Sequence, residues 1–71
     1  MKKQSKIFIK EKILLTLEKS SQPISKREIA RRIKLSPATT SKYVDILSAE
    51  GKVRVMDYGN INLVELVRKN E

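Results

Sequence analysis

Few side chains in this sequence could do covalent chemistry. It contains no cysteine and no histidine, so thiolate nucleophiles, disulfides, and the commonest metal ligand and general base are all missing. Cations are what it has in excess. Sixteen Lys and Arg against eight Asp and Glu give a net charge of +8 on 71 residues. The chemistry open to such a chain is ionic: neutralisation of phosphates with release of their counterions. No catalysis, cofactor or metal is expected, and a polyanion is the expected partner.

The stretch from Leu35 to Leu47 reads as a short helix whose first exposed turns carry small polar side chains. Ser36 can accept a backbone N–H at its start, and Pro37 suits the first helical position, where a missing donor costs nothing. Gly51 stands where a left-handed residue would stop it.

Other elements must position that helix. Seventy-one residues make one domain, near the lower size limit for an unstapled core, with residues 1–5 expected as a frayed basic arm. From Lys6 to Lys19 apolar residues recur at helical spacing, with Ile9, Ile13 and Leu17 on one side and Ile7 and Leu14 widening that face. Phe8 and Leu15 fall on a different side, flanked by Glu11, Lys12 and Lys19. The segment around Pro23 is expected to be extended. Ser25 followed by Glu28 predicts a reciprocal capping box, opening a second helix over 26–33 that buries Ile29, Ala30 and Ile33. The third helix should bury Thr40, Val44 and Leu47, with Tyr43 at the margin. After Gly51 the period becomes two: Val53 and Val55 face inward, Asp57 to Asn60 make a tight turn, and Ile61 and Leu63 return. Residues 65–71 are expected as a tail. The fold class is α+β, mainly α: three helices and a C-terminal two-stranded β-hairpin.

This order resembles the winged helix-turn-helix family of DNA-binding proteins. The likeness is carried by Ile29-Ala30 and Ile33, Leu35-Ser36, Thr40 and Tyr43-Val44, and Leu47 with Glu50-Gly51-Lys52-Val53, and it runs from about Ile9 to Leu63. Two positions depart from the family's habit. Lys34 stands where many members have glycine, and Thr40 where a branched aliphatic is usual, its hydroxyl expected to bond an earlier carbonyl.

The resemblance implies that the third helix enters the major groove of double-stranded DNA. Its exposed residues are Ser36, Pro37, Ala38, Thr39, Ser41 and Lys42, with Asp45 at the edge. The hydroxyls can bond base edges or phosphates, the Ala38 and Thr39 methyls can pack on a thymine methyl, and Lys42 can reach guanine or phosphate. Lys26 and Arg27 are expected on phosphate. In the wing, Arg54, Tyr58 and Asn60 are the candidates, Arg54 first.

The function this implies is sequence-specific DNA binding by a small transcriptional regulator, a repressor by occupancy, acting in the cytoplasm on the nucleoid. Non-specific coating of DNA and a protein-interaction module are the alternatives. No membrane span and no small-molecule ligand are expected. The Phe8 and Leu15 stripe is expected either to be covered by Leu66 and Val67 or to form a homodimer.

Overall fold

The computed structural model describes residues 6–67, with side chains from Phe8 onward. The basic arm, the Ile7 side chain and residues 68–71 lie outside that range. The chain runs α1 (Lys6–Lys19), β1 (Ile24–Ser25), α2 (Lys26–Ile33), α3 (Pro37–Ala49), β2 (Val53–Tyr58) and β3 (Ile61–Leu66). Three helices and an antiparallel β2–β3 hairpin are therefore present, as the periodicities require.

The three helices meet on one core. Ile9, Ile13 and Leu17 of α1 are buried with Ile29 and Ile33 of α2 and with Val44 and Leu47 of α3. Ala30 is 3% exposed, and its small side chain lets α2 and α3 approach closely. Tyr43, expected at the margin, is buried in the same cluster.

The helix ends show how local chemistry sets the frame. The Ser25 hydroxyl accepts the Glu28 N–H at 3.1 Å, which caps α2. The capping box is only half formed, however. The Glu28 carboxylate turns away to Arg31 at 2.8 Å and Arg32 at 2.9 Å, because guanidinium donors one turn along outcompete a neutral amide. α2 stops at Lys34, which adopts φ 63°, ψ 42°, while the Leu35 N–H reaches the Ala30 carbonyl at 3.1 Å. A lysine thus occupies the left-handed position that glycine fills at little cost.

α3 begins at Pro37, as the Ser36 cap and the proline imply, and runs to Ala49, two residues past Leu47. Its cap is Ser36, which accepts the Thr39 N–H at 3.2 Å. It ends in a Schellman motif: Gly51, at φ 79°, donates to the Ser48 carbonyl at 3.0 Å, and Lys52 donates to that of Leu47 at 2.9 Å.

The sheet differs from the sequence expectation in three respects. It has three strands in the order β1-β3-β2, since Ile24 pairs with Val64 and Ser25 with Leu63. The hairpin loop is two residues, Gly59 and Asn60, because Tyr58 still pairs with Ile61. Gly59 at φ 67° supplies the positive angle that such a tight connection demands. In β3 the inward residues are Val64, fully buried, and Leu66, which packs on the core, whereas Ile61 is 52% exposed. The expected alternation of Ile61 and Leu63 is off by one. Pairing of Val55 with Val64 and Val53 with Leu66 sets the register, and a one-residue slip exchanges the faces. Glu65 and Leu66 accordingly belong to β3, not to a tail.

The apolar surface expected at a dimer contact is divided. Leu66 lies against the core, so it does not cover Phe8 and Leu15, which are 47% and 53% exposed. Val67 borders a hollow with Leu14, Glu18 and Lys52, while Leu15 borders another with Arg32 and Lys34.

Thr40 is fully buried, and its Oγ1 has no hydrogen-bond partner among the described residues, contrary to the expected bond to an earlier carbonyl. A desolvated, unpaired hydroxyl is costly. Thr40→Val should raise unfolding free energy by about 1 kcal/mol in chemical denaturation. Lys34→Gly should add a comparable ~1 kcal/mol by relieving the left-handed backbone; loss of stability there would show that the lysine side chain makes a compensating interaction.

Candidate nucleic-acid interface

α3 is presented by burying one side and leaving the other open. Thr40, Tyr43, Val44 and Leu47 face the core, so Pro37, Ala38 and Lys42 are exposed and Thr39 is half-exposed. At the helix start the hydrogen bonds are allocated. Ser36 Oγ accepts the Thr39 N–H and lies 3.0 Å from Thr39 Oγ1, donating to it. That leaves the Thr39 hydroxyl its own proton to give outward. Ser36 is used as a cap, and Thr39 keeps a hydroxyl proton on the first turn, with the methyls of Ala38 and Thr39 on the same turn. Lys42 is exposed, its Nζ 5.7 Å from the Tyr43 ring centre, so the aromatic ring steadies the stem.

α2 is braced against α3 by a polar bridge. Lys26 Nζ is 3.2 Å from both Ser41 Oγ and Asp45 Oδ1, and its side chain is only 20% exposed. Lys26 and Ser41, both expected on phosphate or base, thus spend their polar groups on each other. Arg27, next in sequence, is exposed and has no ion pair among the described residues. It is the freer cation at the start of α2.

The wing is also self-neutralised. Arg54 and Glu65 are cross-strand partners in the register, and the guanidinium donates to the carboxylate through Nε and Nη2. Arg54 is therefore not the unencumbered wing cation that its sequence position suggests. At the tip Tyr58 is 61% exposed, its hydroxyl 3.7 Å from Met56 Sδ. Asn60 lies in the loop.

Five of the expected contacts come together around one hollow: Lys26, Arg27, Pro37, Ser41 and Asn60 line it with Ser25, Ile61 and Asn62. It lies where the starts of α2 and α3 meet the returning strand of the wing. Ser36, Ala38, Thr39 and Lys42 lie outside it on α3, and Arg54 and Tyr58 on the hairpin. Asn62 was not anticipated. The register that turns Val64 and Leu66 inward puts Asn62 on the same face, opposite Asp57, the reverse of the alternation read from the sequence.

Two carboxylates are held below their ordinary range. Hydrogen bonds from Arg32 and then Arg31 lower Glu28, and one from Lys10 at 2.8 Å lowers Glu50 at the end of α3. Among the described residues no group of three acidic, His or Cys side chains could hold a metal, and no helix is long and apolar enough to cross a membrane.

A helix pair that projects one helix outward, with a β-hairpin beside it, defines a winged-helix domain. The model of the winged helix-turn-helix DNA-binding family matches residues 9–54, and the chain belongs to that family. No curated protein matches it. Among solved structures, a HOP2 structure described for DNA recognition, protein interaction and homologous DNA pairing is similar, with TM-score 0.76 and 24% identity over 83% of this chain and 98% of that one. The ferric uptake regulator Fur of Helicobacter pylori, described with three functional metal-binding sites, gives 0.81 and 21% over 97% of this chain and 49% of its own. Human N-acetylserotonin methyltransferase bound to SAM gives 0.76 and 14% over 87% of this chain and 18% of its own. At these identities the likenesses concern the fold alone.

A depressed carboxylate pKa favours the folded state above the unfolded value of 4.5, and that contribution is lost as pH falls through the folded-state pKa. Stability should therefore drop on acidification below about pH 4.5. Glu28→Gln should flatten that drop in a pH series of denaturation curves, leaving the Glu50 part.

Proposed function

We propose that this domain is a sequence-specific double-stranded DNA binder, acting as a transcriptional regulator that represses by occupancy, with α3 in the major groove. The observation that carries the reading is the exposed start of α3. The Thr39 hydroxyl, which accepts from Ser36 and keeps its own proton to donate, stands with the Ala38 and Thr39 methyls and Lys42 on a helix whose opposite side is locked in the core. A hydroxyl donor and methyl groups suit a thymine or adenine edge in the major groove, and Lys42 suits guanine or phosphate. Arg27 at the rim of the hollow supplies a backbone contact, and Asn60 and Asn62 offer amides to sugar or phosphate. On this reading the protein acts inside the cell, in the cytoplasm on the nucleoid.

One observation favours a second reading. α3 carries no Arg, Asn or Gln, the residues that make the strongest bidentate base contacts, and the chain retains a net charge of +8. Non-specific coating of DNA fits those two facts.

Titration against random duplex and against the chain's own upstream DNA at several salt concentrations separates the readings. A regulator shows a preference of ~10³ or more, coating shows equal affinities with a steep salt slope, and no binding at low salt overturns both. Within the regulator reading, Thr39→Ala and Lys42→Ala should shrink the preference between sequences. Arg27→Ala should weaken binding to all duplexes alike and reduce the salt slope by about 1. Lys26→Ala, by contrast, should lower stability through loss of the bridge to Asp45, read by denaturation without DNA.

A further inference from the structure

The exposed side of α1 has a pattern that is complementary to its own reverse. Phe8, Glu11, Lys12 and Leu15 recur at the spacing that places them along one stripe, with an apolar residue at each end and an acid beside a base at the centre. Phe8 and Leu15 are 47% and 53% exposed, and Glu11 has no ion pair among the described residues. Lys12 leans back along its own helix, Nζ 5.1 Å from the Phe8 ring centre.

We propose that this stripe is the contact for a second copy of the chain, with the two α1 helices antiparallel about a two-fold axis between Glu11 and Lys12. In that arrangement Phe8 meets the partner's Leu15 at both ends, and Glu11 meets the partner's Lys12 twice at the centre. The self-complementarity that a two-fold contact demands is thus met by four residues of one helix. The parallel arrangement puts Glu11 on the partner's Glu11 and Lys12 on the partner's Lys12. Charge selects the antiparallel one. The stripe belongs to α1, away from the hollow formed by α2, α3 and the wing, so pairing leaves α3 open.

Four residues per copy make a small contact, and the free dimer is weak. Sedimentation equilibrium of the intact chain, over a concentration series reaching millimolar, tests it. The wild type should show a monomer–dimer equilibrium, and Leu15→Glu should run as a monomer with an unchanged helical circular dichroism spectrum. Glu11→Lys and Lys12→Glu each put two like-charged pairs at the centre and should weaken dimerisation about tenfold. The double variant E11K/K12E restores opposite charges across the axis and should regain the wild-type dimer. A wild type that stays monomeric, or a double variant no better than the singles, overturns the proposal. Because the assay contains no DNA, its outcome is independent of the binding experiments above.

Discussion

The angle between α2 and α3 is the constraint on which the remaining structure depends, because it decides which side of α3 is available. It is set by three features of different kinds. Ala30 permits close approach; the left-handed Lys34 reverses the chain between the helices; and Lys26 ties the first turn of α2 to Ser41 and Asp45 on the second and third turns of α3. The apolar contacts of Ile29 and Ile33 with Val44 and Leu47 pack the two helices together. The bridge adds direction, since a cation and a carboxylate satisfied at 3.2 Å hold the helices in a single rotation.

Beyond that pair, β1 makes the wing part of the same body. Two residues, Ile24 and Ser25, bond to β3, so the strand that returns from the wing tip is held on both edges. Ser25 is also the cap of α2. One residue therefore joins the sheet to α2, and the hollow between α2, α3 and the hairpin has walls tied to one another through Ser25.

Much of this was legible in the chain. Helices α1 and α2 have the boundaries that their apolar periods and the Ser25 cap imply, and the Gly51 stop lies where a left-handed residue was needed. Period and capping are local, so a sequence carries them openly. The larger misses are non-local. The inward face of β3 depends on pairing with both β2 and β1, and alternation among Ile61, Leu63 and Val64 offers two phases with nearly equal apolar content. Lys26 and Arg54 read as free cations because their partners, Asp45 and Glu65, are 19 and 11 residues away. Lys34 in the left-handed region contradicts its own propensity, and only the demands of the α2–α3 turn explain it. In the candidate site, the residue types were legible but their commitments were not: Ser36 and Thr39 look equivalent in sequence, yet one is a cap and the other keeps a proton to give.

The pairing of Arg54, Lys26, Arg31, Arg32 and Lys10 with carboxylates of the same chain gives the net charge another meaning. Those five cations share four internal counterions fixed in place by the fold, Arg31 and Arg32 both meeting Glu28. When such a cation meets phosphate it exchanges one anionic partner for another. The displaced carboxylate stays attached, close to the DNA and repelling it. Long-range attraction to a polyanion is then governed by the overall excess of +8, while Arg27 and Lys42 are among the cations that have no carboxylate to leave among the described residues. On the DNA-binding reading proposed above, such a surface approaches any duplex readily and holds where the short-range fit at the start of α3 is good.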